Sequence, residues 1–200
     1  MSWPVIEHVS RDGVALMHYF EQCELEAYPD PGSELGAACS ARGLPMRDYH
    51  KVADWRGMSG DPWTIGWGQT GPDVHQGLII NQDEADAMFA ATLEKFEEDV
   101  RSLVKVPIMQ YEFDALVSFA YNVGSDIDPD DVAEGLGDST LLKKLNTSHP
   151  KLQVAAEFMR WCRAGGREMR GLKRRRFAEW ALFLNMPWRL ALQEYIASGG

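Results

Sequence analysis

The first residues suited to chemistry are two carboxylates, Glu21 and Asp30, nine positions apart in the stretch FEQCELEAYPD. Paired carboxylates cleave glycosidic bonds, since one can protonate the leaving oxygen while the other acts as base or nucleophile. Glu21 directly follows Phe20 at the end of an amphipathic segment, and a partly desolvated carboxyl group there is suited to donate a proton. Asp30 lies in the turn-forming sequence PDPGS, in which proline and glycine favour a bend. These residue types predict acid–base chemistry on a sugar.

Most of the chain that must position these groups has helical periodicity. The segment after Asn81 has apolar residues at helical spacing, with Asn81 as N-cap and Glu84 completing a capping box. A second apolar helix ends at Gly124, a C-terminal cap, and is expected at the centre of the domain. A short helix is predicted after Ser10. The later helices are predicted at residues 81–104, 109–124, 139–145, 150–164, 172–184 and 188–196.

Residues 23–80 are different, because they contain most of the irregular sequence and a single β-like stretch, WTIGWGQTG. The predicted fold class is therefore α+β, mainly α, in one domain covering residues 1–200. A small β-containing lobe is expected at about residues 21–80. A larger helical lobe is expected at about residues 1–20 and 81–200.

Composition and charge restrict the function classes. The chain has 200 residues, 45% of them hydrophobic, and a net charge of −10, which is typical of a soluble globular domain. Residues 151–200 hold 10 Lys and Arg against 4 Asp and Glu, including the run Lys173-Arg174-Arg175-Arg176. Because consecutive helical residues point in different directions, we expect part of this run to meet acidic groups inside the molecule. Nucleic acid is not a predicted partner.

The three cysteines, Cys23, Cys39 and Cys162, have no metal-ligand spacing, and buried free thiols in a reducing compartment are expected. Neither they nor the histidines indicate a metal or other cofactor. The chain has no apolar run of about 18 residues, and its N-terminal stretch lacks signal-peptide features. We therefore expect that the protein is synthesised in the cytoplasm and does not insert into a membrane.

Four stretches together resemble the phage lysozyme family, the endolysins of glycoside hydrolase family 24. They are FEQCELEAYPD, WTIGWGQTG, FDALVSFAYNVG and GLKRRRFAEWALF, and the resemblance covers most of residues 13–184 in the family's order. It implies a lysozyme-like fold and a muramidase activity on bacterial peptidoglycan.

The family's catalytic trio is a Glu, an Asp nine positions later, and a Thr that opens a T-I-G-x-G strand. The resemblance assigns these roles to Glu21, Asp30 and Thr64. Thr64 lies 34 residues after Asp30 instead of the family's six, so about 28 residues are inserted, within residues 31–60. The insert is expected to form one short helix and an extended segment, either as a surface elaboration or as an added substrate contact. Asp61, three residues before Thr64, is the alternative catalytic carboxylate.

The family's chemistry assigns Glu21 the role of general acid, while ionised Asp30 activates or orients a water held by Thr64. Such single displacement requires the two carboxyl groups to lie about 6.5 to 9.5 Å apart. Asn122 matches a family position that contacts the sugar, with Tyr121 beside it; capping or packing is the alternative for both. Arg175 matches the arginine that pairs with the catalytic Glu.

Gln69 stands where many family members have histidine, and a structural substitution is expected. The resemblance implies an endolysin that hydrolyses the β-1,4 bond between N-acetylmuramic acid and N-acetylglucosamine. The alternatives are a lytic transglycosylase, which needs no positioned water, and a catalytically silent wall-binding or virion protein. The implied protein is a monomer that begins in the host bacterial cytoplasm and acts on the periplasmic wall. Access to the wall would require a holin.

Overall fold

The computed structural model describes residues 6–128, 132 and 134–200. The α-helices are α1 Arg11–Phe20, α2 Glu34–Ala41, α3 Gln82–Leu103, α4 Gln110–Val123, α5 Thr140–Asn146, α6 Lys151–Ala155, α7 Arg170–Phe183 and α8 Trp188–Ala197. The strands are β1 Glu24–Pro29, β2 Trp63–Gly66, β3 Gln69–Thr70, β4 Arg163–Ala164 and β5 Arg167–Glu168. Short 3-10 helices cover Met46–Lys51, Trp55–Gly57 and Phe158–Arg160. The predicted class, mainly helical with a small antiparallel sheet, is confirmed.

The helix termini follow the capping signals in the sequence. The Asn81 side chain accepts a hydrogen bond from the Glu84 backbone N–H at 2.9 Å, and the Glu84 carboxylate accepts one from the Asn81 N–H at 2.8 Å. Ser139 caps α5 by accepting from the Leu142 N–H at 3.0 Å. Gly124 ends α4 with a φ of 100°, a conformation that favours glycine. The caps predicted at Asn81 and Gly124 are confirmed.

The chain divides into two compact units, one formed by residues 21–92 and the other by the described residues up to Phe20 together with residues 93–200. The small lobe was predicted to end at about residue 80, and the smaller unit ends at residue 92. The single-domain organisation stays a prediction.

The small unit, residues 21–92, contains an antiparallel sheet in the order β1-β2-β3. The only β-like stretch identified in the sequence formed β2 and β3, and β1 was missed. In β1, charged residues alternate with apolar ones around a register irregularity between Glu24 and Tyr28. Glu, Ala and Pro, which make up most of this short segment, are depleted in strands, so its strand signal was weak.

The insert, residues 31–60, forms α2 and two 3-10 helices. The predicted short helix is confirmed, whereas the predicted extended segment is wrong. A side-chain cap explains where α2 begins, because Ser33 accepts a hydrogen bond from the Gly36 N–H at 3.0 Å. The insert shares a core with the sheet. That core consists of Ala27, Leu35, Cys39, Tyr49, Val52, Trp63, Ile65 and Val74.

The large unit is built around α4, in which every residue from Glu112 to Ala120 is buried. Helix α4 packs against α7 and α1. An amphipathic pattern predicted α1, and a pattern apolar on most sides predicted α4. The central position predicted for α4 agrees with its burial.

One predicted helix of the large unit is wrong. Residues 150–164 were expected to be a single helix, but α6 ends at Ala155 and the chain reaches the hairpin formed by β4 and β5. The two-residue turn is Gly165-Gly166, with φ values of 55° and 75°. Positive φ at both turn residues is typical of a type I′ hairpin. The Gly-Gly pair was the available sequence signal.

The cysteines are free among the described residues, with Cys39 and Cys162 buried and Cys23 partly exposed. Within the described ranges, no helix is both long and apolar enough to cross a bilayer. The part of the N-terminal prediction that falls on residues 1–5 lies outside the described residues.

Candidate active site

Asp30 is held firmly at the end of β1. Its backbone N–H donates to the carbonyl oxygens of Gly60 and Pro62, at 3.2 and 3.0 Å. Its carboxylate Oδ1 accepts from the Gly32 N–H at 2.7 Å. Its carbonyl oxygen accepts from the Ser33 N–H and hydroxyl, at 3.0 and 2.7 Å. Both ends of the insert therefore hold the backbone of the predicted catalytic aspartate.

The strand register relates Asp30 to Thr64. Tyr28 of β1 lies opposite Thr64 of β2, and directly opposite side chains project from the same face of a sheet. Asp30 follows Tyr28 by two residues, so strand alternation directs it to that same face. Thr64 is buried, with 8% of its surface exposed.

The alternative carboxylate, Asp61, is exposed and precedes β2. Its backbone N–H donates to the Ser59 hydroxyl at 3.3 Å, and its carboxylate accepts from that hydroxyl at 3.5 Å. Asp61 lies outside β2 and is hydrogen-bonded to Ser59, whereas the Asp30 N–H donates to the Pro62 carbonyl across the β1–β2 pairing.

Glu21 lies close to the turn that joins β2 to β3. A Cβ atom placed on Gly68 would be 3.6 Å from the Glu21 carboxylate Oε2, and Gly68 has a φ of 98°. Burial raises the pKa of the Tyr28 phenol, and the negative charges of Glu21, Glu24 and Asp30 raise it further. Both predicted catalytic carboxylates therefore act electrostatically on one phenol.

Tyr28 was missed in the sequence. Its position two residues before Asp30 on a strand was the available signal, but that signal was hidden while β1 was unrecognised. Its ring is half-buried, and its hydroxyl lies within the electrostatic reach of both carboxylates.

Gln69 has a structural role in the β2–β3 turn. Its side-chain Oε1 accepts a hydrogen bond from the Trp67 N–H at 2.8 Å, and the residue is 5% exposed. A Cβ atom on Gly66 would lie 2.6 Å from the same oxygen, so glycine permits this close approach. A neutral amide can make this contact without titrating, in agreement with the expected structural substitution.

The basic run contributes two buried arginines to the large unit. Arg175 and Arg176 are 4% and 0% exposed, and Glu179, which contacts both arginines, is 0% exposed. The Arg175 Nε lies 3.2 Å from the Glu179 Oε1, and the Arg176 Nε lies 2.9 Å from the Oε2. Lys173 of the same run pairs with Glu168 at 2.9 Å. The expectation that part of the run meets acidic groups inside the molecule is confirmed.

This network holds Asn122. The Arg176 Nη2 donates to the Asn122 Oδ1 at 2.7 Å, although Asn122 is exposed. A cavity of about 420 Å³ opens beside it, lined by Phe20, Asn122, Ala164, Met169, Gly171, Leu172 and Arg175. Asn122 and Arg175 are thus brought together. Tyr121 instead packs against Phe96, with ring centroids 5.4 Å apart. The pairing of Arg175 with Glu21 stays a prediction.

Within residues 6–128, 132 and 134–200, no group of three His, Cys, Asp or Glu side chains is arranged to hold a metal ion.

The sequence model of the phage lysozyme family matches residues 18–179. The endolysin of Bacillus phage B103 is 33% identical over 177 residues, covering 88% of this chain and 54% of that relative. A solved endolysin from Escherichia coli O157:H7 phage FAHEc1 has a TM-score of 0.65 and 30% identity, covering 92% of this chain and 97% of the other. The muramidase domain of SpmX from Asticaccaulis excentricus has a TM-score of 0.65 and 27% identity, covering 90% and 99%.

The chain spans about half the length of the Bacillus phage relatives that it matches. The solved neighbours are matched along almost their whole length.

Proposed function

Because this chain belongs to the phage lysozyme family, we propose that it hydrolyses the β-1,4 bond between N-acetylmuramic acid and N-acetylglucosamine in bacterial peptidoglycan. Its relatives are endolysins, and the proposed role is lysis of the host cell.

In the proposed reaction, Glu21 protonates the glycosidic oxygen as the bond breaks. Asp30 accepts a proton from a water on the opposite face of the sugar, and the Thr64 hydroxyl holds that water. The water adds to the anomeric carbon while the leaving sugar departs, so the product has inverted anomeric configuration.

The observation that supports this proposal best is the register of β1 against β2. It directs Asp30 and Thr64 to one face of the sheet. The hydrogen bonds that the Asp30 N–H donates to the carbonyl oxygens of Gly60 and Pro62, and the one that its carboxylate accepts from Gly32, restrict the aspartate, as a residue that must orient water requires. Asp61 is exposed, and its hydrogen bonds with Ser59 are longer, at 3.3 and 3.5 Å, so Asp30 is the proposed base.

The large-unit cavity is the proposed sugar-binding surface. Its lining combines Phe20, Met169 and Leu172 with the polar side chains of Asn122 and Arg175. Apolar walls with a few placed polar groups are typical of small-ligand sites. Because Arg176 occupies the Asn122 Oδ1, the amide NH₂ is the group that faces a sugar oxygen. Arg175 is the proposed orienting partner of Glu21.

Proton NMR of peptidoglycan fragments immediately after cleavage tests this proposal. We expect the inverted anomer to appear first, and we expect Glu21→Gln to abolish release of reducing ends while the melting temperature is unchanged. Retention of configuration would exclude the single displacement. Anhydro products alone, identified by mass spectrometry, would establish a lytic transglycosylase. Tight binding without released reducing ends would establish a silent wall-binding protein.

The proposed substrate and partner is the bacterial wall, which the protein would reach from the host cytoplasm after a holin permeabilises the membrane. The proposed catalytic form is a monomer. Sedimentation of the purified chain, and lysis of intact cells with and without a co-expressed holin, test these two statements.

A further inference from the structure

The small unit also has a cavity, which is formed in part by the insert. A cavity of about 240 Å³ lies between β1 and the 3-10 helix Met46–Lys51, and its lining is Gln22, Glu24, Tyr28, Pro45, Met46 and Arg47. The last three of these residues belong to the insert. The insert therefore forms one side of this cavity, and β1 with Gln22 forms the other.

This cavity adjoins the candidate catalytic groups through Tyr28. Tyr28 lines the cavity and lies opposite Thr64 in the strand pairing. The charges of Glu21 and Asp30 both act on its phenol. A substrate engaged by Asp30 and Thr64 would therefore extend past Tyr28 towards the cavity.

Arg47 gives the cavity its chemical preference. Its Nη1 lies 3.1 Å from the Glu24 Oε1, and its side chain is 60% exposed. A guanidinium group has five N–H donors, so this single ion pair leaves donors for a ligand. Residues 21–92 contain 4 Lys and Arg against 12 Asp and Glu. Arg47 is therefore a positive charge placed beside the active surface of a strongly acidic unit.

We propose that the insert forms an additional substrate subsite, in which Arg47 binds a carboxylate of the peptidoglycan while the glycosidic bond lies at Asp30 and Thr64. This inference rests on the proposed muramidase function. Peptidoglycan offers carboxylates on its peptide stems, and on the lactyl group of muramic acid once a stem is removed. Planar guanidinium binds carboxylate with two parallel hydrogen bonds, and Met46 and Pro45 supply apolar contact. A neutral sugar alone would offer no charged acceptor to the Arg47 donors that Glu24 does not occupy.

The test compares Arg47→Met with Lys51→Met. Lys51 is a matched control, because it lies on the same 3-10 helix, is 54% exposed and has its own ion pair with Asp48 at 2.8 Å, yet it does not line the cavity. Both variants lose one positive charge. The substrates are soluble glycan strands with intact peptide stems and the same strands stripped by an amidase. The measurements are KM and kcat for release of reducing ends.

We expect Arg47→Met to raise KM about tenfold, the effect of losing one charge-assisted hydrogen bond, with kcat unchanged. The Lys51→Met variant should match the wild type. A rise only with stem-bearing strands would identify a stem carboxylate, and a rise only with stripped strands would identify the lactyl carboxylate. A rise with both substrates would show that Arg47 binds whichever of the two carboxylates is present. Equal KM values for Arg47→Met and Lys51→Met on both substrates would overturn the subsite.

A binding measurement separates this inference from the proposed function. Calorimetry with the same strands is performed on Glu21→Gln, with and without Arg47→Met, so that no cleavage occurs. If the wild type cleaves strands but Arg47→Met changes neither KM nor binding, the subsite is wrong and the muramidase stands. If the wild type cleaves nothing, the muramidase proposal fails. In that case, weaker binding on loss of Arg47 would still support the carboxylate site, and unchanged binding would refute it.

Discussion

Replacing Gly36 with alanine is a sharp test of whether the insert positions Asp30. Gly36 lies in the first turn of α2, and a Cβ atom there would be 1.9 Å from the Asp30 carbonyl oxygen and 2.8 Å from the Pro31 Cα. Both neighbours are backbone atoms, so no side-chain rotation can relieve the clash. The start of α2 and the backbone of Asp30 must move apart.

The size of that movement follows from the contact distance. Carbon–oxygen contacts in proteins are ordinarily no closer than about 3.3 Å. The Gly36→Ala variant therefore requires a displacement of about 1.4 Å, the difference between this separation and 1.9 Å. Misplacing a catalytic group by about 1 Å can reduce the rate about 100-fold. We therefore expect kcat of Gly36→Ala to fall about 100-fold if Asp30 activates the water.

The assay is release of reducing ends from purified peptidoglycan, measured below the melting temperature of each variant. Gly57→Ala is the matched control, because Gly57 also belongs to the insert and a Cβ atom there would meet nothing within 4 Å. Circular dichroism reports whether each variant is folded. A folded Gly36→Ala variant with the kcat of Gly57→Ala would refute the proposed dependence of catalysis on the Asp30 position.

Three further predictions concern single residues. Asp30→Asn should lower kcat by about 10² to 10⁴-fold, the usual contribution of a general base, whereas Asp61→Asn should keep a kcat near that of the wild type. Both are measured as release of reducing ends. A larger loss of kcat in Asp61→Asn would assign the base to Asp61. Glu179→Gln should lower the free energy of unfolding by about 3 to 5 kcal/mol, because it removes the charge that two buried arginines share; urea unfolding checks this, and a loss near zero would contradict it. Burial raises the pKa of Asp114 above its ordinary 3.8, against opposing hydrogen bonds from Ser10 and Gln110. The resulting stabilisation is present below pH 3.8 and lost as pH rises, so wild-type stability relative to Asp114→Asn should decline between acidic and neutral pH. A relative stability that rises with pH would contradict this sign.

The helical part of the fold was largely predictable because its signals are local. Apolar spacing and caps such as Asn81, Ser139 and Gly124 depend on a few neighbouring residues. The strands were less predictable. Strand β1 consists mostly of residue types that are depleted in strands, and β4 and β5 have two residues each, too few to show an alternation. The Gly165-Gly166 pair was the better signal for the hairpin.

The candidate site was predictable where it rested on spacing and hidden where it rested on pairing across the chain. The interval between Glu21 and Asp30 is visible in the sequence. The position of Tyr28 opposite Thr64 is not, because it depends on a register across the insert. The buried network of Glu179 with Arg176 joins neighbours on one helix, but its hold on Asn122 crosses to another helix. Helical spacing could suggest the first contact, whereas only the fold supplies the second.

The insert changes how Asp30 is held. An insertion placed directly after a catalytic residue would be expected to loosen it, since long loops are usually mobile. Here both ends of the insert bind the Asp30 backbone, Ser33 at the start and Gly60 at the end. Between them, Leu35 and Tyr49 are buried in the core shared with β2. The insert therefore folds as part of the small unit, and the same packing that restricts Asp30 brings Arg47 to the cavity beside Tyr28. If the subsite binds a substrate carboxylate, substrate binding and the placement of the base depend on one packed segment, so changes in its core should alter KM and kcat together.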